Sequence, residues 1–374
     1  MFKKEENKNN LTIVNFSLII FLVFALFYIL YIGQSLIVPF IISILFAFAI
    51  LGLSKFYEKY RIPSFLAMTL SVITYILVFY FIGNIIYGNI NELIVLAPSY
   101  QEKIVSLAKN LFDSLGINRN QVTEFMSNIR LQDIFNSIFA TLTSLSSNIG
   151  AILFYTIFIL LEAKYFGRKI ELMVSNPDKR KDVLEVLHKI ENDVKGYFFI
   201  KIVVSLMTAI LSYIIMISFG LNFALFWALL VFILNFIPNI GSIIAVMFPS
   251  LLSFVQPEFT IYTSIFMVVL LTTIQMIVGN VIEPKMMGNK LNLSPLVIII
   301  ALSFWGYLWG IIGMLLSVPL VVIMNIILSK FEQTRPISIF LSEKGEVATF
   351  PGSSISSKDE KHKIIEEIKK KFSK

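Results

Sequence analysis

The sequence predicts an all-α integral membrane protein with about five to eight transmembrane or re-entrant helical segments and peripheral amphipathic helices. Three observations predict it. Of 374 residues, 57% are hydrophobic and only 15% charged, against roughly 45–50% and 25% in soluble domains. Several uncharged runs approach the roughly 20 residues that a helix needs to cross about 30 Å of hydrocarbon, so the spans are helical and not barrel strands. Two of the apolar regions are interrupted by Pro, Gly and Asn. Such breaks survive in a bilayer only where the backbone is buried in protein or lines a wet cavity.

Taken in order, residues 1–88 read as N-terminal transmembrane helices. A basic start (Lys3, Lys4, Lys8) precedes the run 11–32, which is longer than the roughly 7–15 residues of a signal-peptide core and is kept as the first span, N-terminus inside. The run 35–53, with Pro39 near its start, ends at a basic loop (Lys55, Lys59, Arg61), and residues 63–87 return the chain outward. Residues 89–147 are mixed and polar, an external or interfacial region of amphipathic helices. Its apolar stripes are Ile104, Ala108, Leu111, Leu115, then Val122, Phe125, Ile129, then Leu131, Ile134, Phe135, Ile138.

Residues 148–330 read as the core transport region. Within it, 149–161 brings the chain back in, and 162–201 is the most basic segment, a cytoplasmic helical loop with a helix start at Pro177 and Asp178. The run 202–219 spans again and stops at Gly220. Segment 223–255 is broken, its two halves each roughly 15 residues and about 22 Å long, short for a crossing. It fits either a re-entrant hairpin or two tilted crossings. Residues 261–282 cross inward, and the broken segment 295–328 repeats the same ambiguity. Residues 331–374 form a cytoplasmic tail, with a Gly/Ser linker at 351–357 and a basic amphipathic helix at 358–374. Both termini are expected in the cytoplasm.

The stretch FILNFIPNIGSIIAVMFPSLLS (232–253) sets Asn235, Pro238, Asn239 and Gly241 inside continuously apolar sequence. A second break, VIEPKMMGNKLNLSP (281–295), brings Pro284, Gly288 and Pro295, and the following run holds Gly310, Gly313 and Pro319. Discontinuous segments in two places point to a transporter's binding region. On 261–282, Thr272, Gln275, Gly279 and Glu283 recur at spacings of three, four and four, which places them along one face with Asn280 adjacent. The expected substrate or ion pathway is therefore Asn235, Pro238, Asn239, Gly241, Thr272, Gln275, Asn280 and Glu283. The interfacial alternative for Glu283 is a pair with Lys285 or Lys290.

Catalysis lacks its parts. There is no cysteine, and the two histidines, His188 and His362, lie far apart. No HExxH, G-x-S-x-G or Walker motif is present, so no catalytic residue, metal site or cofactor is expected. The net charge of +7 reads as basic cytoplasmic loops and not as nucleic-acid binding.

The phrases NFIPNIGSIIAVMFPSLLSF and GNVIEPKMMGNKLNLSPLVIIIALSFWGYLWGIIGMLLSVPLVVI resemble the C-terminal half of the autoinducer-2 exporter family, the PerM-like permeases. The resemblance extends to the Pro39 segment, the long middle region and the Gly196-Tyr197 entry. It implies a secondary transporter of the prokaryotic cytoplasmic (inner) membrane, homo-oligomeric and without its own ATPase, that exports a small polar solute such as autoinducer-2. Sodium or lithium/proton antiport through the same residues is the first alternative, and a membrane scaffold without transport the second. The expected partners are the solute or ion, the lipid bilayer and further copies of the chain.

Overall fold

The computed structural model describes residues 17–18, 20–114, 132–133, 136, 140, 148–288 and 292–345. Among them every regular element is a helix. In chain order these are α1 (Ile20–Ile32), α2 (Gln34–Lys59), α3 (Ser64–Ser114), α4 (Ile149–Met173), α5 (Pro177–Phe219), α6 (Ala224–Leu234), α7 (Ile240–Val255), α8 (Ile261–Ile277), a π-helical turn (Val278–Ile282), α9 (Glu283–Met287), α10 (Pro295–Lys330) and α11 (Arg335–Leu341). Among the described residues six helical stretches are long and apolar enough to cross a membrane. The basic N-terminus, the two amphipathic stripes between Val122 and Ile138, Lys290, the Gly/Ser linker and the C-terminal basic helix lie outside the described residues.

Two helices run further than the sequence reading expects. The helix of the third span does not stop near Tyr87: α3 is 51 residues long in all, about 76 Å. It absorbs the start of the polar region: Asn89 and Ser99 turn their side chains back onto the Ile85 and Leu96 carbonyls, and Pro98 lies inside the helix without ending it. Likewise, while residues 162–173 continue α4, the basic segment from Pro177 onward and the span after it are one helix, α5, of 43 residues. Its start is well specified. Asn176 caps the amides of Asp178 and Lys179, Pro177 takes the first turn, and Asp178 complements the positive end of the helix dipole. Its end is Gly220 in the left-handed conformation.

Both broken segments fold back on themselves. In the first, α6 is 11 residues long, about 16 Å, and α7 returns beside it as a helical hairpin. At its open end Gln256 donates to the Gly220 carbonyl and accepts from the Asn222 amide, both at 2.8 Å, which ties the return of the hairpin to its entry. At the tip, Ile240 N–H bonds to the Pro238 carbonyl across Asn239, whose φ of 59° and ψ of −58° make this the rare γ-turn with positive φ. Gly241 follows, where a Cβ would lie 1.8 Å from the Leu234 carbonyl oxygen.

The second hairpin is built the same way within α10. Gly310 (φ 63°, ψ −144°) breaks the helix, and a Cβ on Gly313 would lie 1.9 Å from the Trp305 carbonyl oxygen, a contact eight residues back that only a chain reversal permits. Its open end is closed by α11, where Ser294 N–H bonds to the Leu341 carbonyl and Ser338 Oγ to Asn325 Oδ1. The sequence reading did not foresee α11 and treats the chain after Lys330 as a soluble tail.

The core forms around α5 and α8. Hairpin 1 packs where α5 ends and α8 begins, joining Met216, Trp227, Leu230, Met267 and Leu271 to Ile90 and Leu93 of α3. Hairpin 2 packs further back along α5 and near the end of α8, joining Tyr197, Val204, Trp305, Leu316 and Val278. A smaller contact of Ala47, Ile50 and Leu160 holds α2 to α4, and the Ser43 hydroxyl proton is shared between the Pro39 and Ile152 carbonyls of those two helices. Large apolar side chains elsewhere on α1, α3 and α4, such as Phe24, Phe65, Tyr80 and Phe158, point outward, as lipid-facing positions do.

Candidate functional site

The polar cluster lies where hairpin 1 meets α5 and α8. From α5 come Tyr197, Lys201, Ser205, Thr208 and Ser212, spaced four, four, three and four, all buried on one face. Lys201 is 3% exposed. An ammonium so far from water is costly unless paired and hydrogen-bonded. Lys201 Nζ lies 2.5 Å from Glu283 Oε1 and donates to the Asn235 carbonyl at 2.9 Å. That carbonyl is an orphan of the C-terminus of α6, where a cation is also favoured by the helix dipole.

Asn235 completes the junction. Its Nδ2 donates to Ser205 Oγ at 3.3 Å and its Oδ1 accepts from Gln275 Nε2 at 3.1 Å. One side chain thus binds the hairpin tip to both long helices. Two buried polar atoms in this neighbourhood have no hydrogen-bond partner among the described residues, the Tyr197 hydroxyl and Gln275 Oε1. With Lys201 and Glu283 opposed, the cluster is electrically neutral and retains hydrogen-bonding capacity.

Glu283 reaches Lys201 because of the π turn. Eight residues of pure α-helix from Gln275 would carry Glu283 about 80° past two full turns. The turn Val278–Ile282 takes up about one extra residue, so Gln275 and Glu283 share a face. Pro284 has no N–H for the Asn280 carbonyl, and it stands one residue beyond this widened turn.

Of the expected pathway residues, the structure brings together Asn235, Gln275 and Glu283, with Pro238 and Gly241 shaping the tip. Thr272 and Asn280 are exposed and make no part of the cluster, a correction to the single polar stripe on 261–282, and Asn239 at the hairpin tip is exposed as well. Gly279 lies inside the π turn, 3.6 Å from Gln275 Nε2 if given a Cβ. Among the expected breaks, Pro284 and Pro319 interrupt nothing: the helix runs through to Met287 in one case and to Lys330 in the other. Gly288, at φ 52°, is the residue that ends α9, and Pro295 opens α10. Among the described residues Glu283 pairs with Lys201 and not with Lys285; Lys290, the other lysine considered for it, lies outside them. Lys201 is not singled out by sequence, because it closes a basic segment and reads as part of it. The four, four, three, four polar spacing from Tyr197 to Ser212 was the available signal.

Residues 17–333 match the family described as AI-2E family transporter. The chain belongs to that family. Its relatives include the AI-2 transport protein TqsA of Escherichia coli, 28% identical over 83% of this chain and 90% of that one. Two others, from Borreliella burgdorferi (29% identical, 88% of this chain, 90% of the relative) and Haemophilus influenzae (30%, 83% and 91%), carry provisional transport-protein names. Family membership and the six long apolar helices make this AI-2E transporter a multi-pass membrane protein.

Proposed function

We propose that this transporter exports a small, polar, uncharged solute of the autoinducer-2 kind across the inner membrane, along the face of hairpin 1 that meets α5 and α8. The observation that carries the reading is the neutral cluster of Asn235, Ser205, Gln275, Lys201 and Glu283, in a neighbourhood where the Tyr197 hydroxyl and Gln275 Oε1 lack partners. Buried polar groups are nearly always satisfied, and a solute rich in hydroxyls supplies what these two lack. The name of the Escherichia coli relative supports the same solute. Cytoplasmic termini and a homo-oligomeric assembly belong to the proposal.

The test is efflux of autoinducer-2 from proteoliposomes with Tyr197→Phe as the variant. Removing a hydroxyl that bonds nothing in the protein leaves the melting temperature unchanged or raises it. Export falls about tenfold, the worth of roughly one hydrogen bond to the solute. Unchanged export would remove Tyr197 from the pathway.

Cation/proton antiport is the second reading, favoured by the Glu283 carboxylate remaining 18% exposed. The same vesicles loaded with a pH-sensitive dye distinguish it: antiport turns a sodium or lithium gradient into a pH change, and solute export does not.

A further inference from the structure

We propose that Lys201 is the built-in cation of this site, standing where a free alkali cation would otherwise bind and making the site independent of sodium. The observations are local. The two oxygens that hold the Lys201 ammonium, Glu283 Oε1 at 2.5 Å and the Asn235 carbonyl at 2.9 Å, are hard ligands of the kind that group I and II cations take. One is a carboxylate and the other a carbonyl at a helix C-terminus that accepts from the Lys201 ammonium, the pairing that discontinuous transporter helices use for coupling ions. Further oxygens stand in the same neighbourhood, Gln275 Oε1 and the Tyr197 hydroxyl, both buried without a partner. Here a side chain from α5 fills the place.

The tether has a purpose that the chemistry supplies. A carboxylate beside a polar solute path needs a positive partner, and a mobile cation would make every crossing depend on an ionic gradient. An ammonium fixed to α5 neutralises Glu283 with nothing to load or release. The widened π turn keeps Glu283 within its reach.

This inference rests on the cluster being the solute pathway, and its test reads stability and not flux, so the two fail separately. The full-length protein is melted in detergent in sodium chloride and in N-methylglucamine chloride at equal ionic strength, as wild type, Lys201→Met and the double variant Lys201→Met/Glu283→Gln. The wild type melts at the same temperature in both salts. Lys201→Met melts lower in N-methylglucamine and recovers several degrees in sodium, because the vacated oxygens now bind the ion. The double variant, with no charge left to compensate, loses the sodium response. A saturable sodium stabilisation of the wild type would overturn the proposal, since it would show a cation site beside an intact Lys201. So would a Lys201→Met protein equally unstable, or unfolded, in both salts.

Discussion

Asn239 holds a conformation that L-residues rarely adopt, φ 59° with ψ −58°, in order to turn the chain over three residues at the tip of hairpin 1. Such a residue carries about 1–3 kcal/mol of strain, and its exposed side chain offers no compensating contact. Asn239→Gly therefore stabilises the protein by about 1 kcal/mol, after the entropy that glycine costs is subtracted. Two residues on, Gly241→Ala does the opposite. Its Cβ meets a backbone oxygen at 1.8 Å, and the tip has to open at a cost of about 1–3 kcal/mol. Thermal melts of both variants in one buffer check the pair, and equal shifts would contradict this account of the tip.

Much of this tip was legible in the sequence. Pro238, Asn239 and Gly241 stand out because each conflicts with an apolar helix, and Asn235 because an amide inside hydrocarbon has to find partners. Lys201 was not legible in the same way. A lysine that ends a run of lysines looks solvated, and only the fold shows that α5 carries it past the water-facing part of the helix and under the C-terminus of α6.

At the scale of elements, α8 is the informative helix. Periodicity placed Thr272, Gln275 and Glu283 on one face, and for Gln275 and Glu283 that is the outcome. The α-helical period alone would not have delivered it over eight residues, and the π turn that restores the phase has no sequence signature beyond Gly279 and the proline after Glu283. The prediction at this scale concerns helix length. Deleting Gly279 removes the extra residue and leaves Glu283 seven positions from Gln275, about 20° short of two turns. The ion pair, folding and transport survive. Inserting Ala after Gly279 swings Glu283 about 100° further and breaks the pair, at about 3–5 kcal/mol for the buried lysine left without its partner. Equal melting temperatures and fluxes for the two variants would show that the π turn does not set the phase.

Across the whole molecule, two hairpins of one design flank the long antiparallel pair of α5 and α8. Each tip combines a positive-φ residue, Asn239 or Gly310, with a glycine pressed onto a carbonyl of the arm before it. The sequence shows both broken segments but not how each chain reversal is made. That needed the close approaches at Gly241 and Gly313 and the closure of the first hairpin by Gln256. The overall class, all-α and multi-span, followed from composition and apolar run length because the hydrocarbon thickness leaves few other solutions.

The central claim is that the junction of hairpin 1 with α5 and α8 is the solute path. The chain has no cysteine of its own, so Ser205→Cys places a single thiol at that junction. Membrane-impermeant maleimide is applied from each side of sealed, oriented vesicles, with Asn239→Cys as the exposed comparison. The account predicts that the thiol at 205, buried in this structure, reacts from both sides as the path opens alternately, and that autoinducer-2 protects it. A thiol at 205 that reacts from neither side, in a protein that still exports the solute, would contradict it.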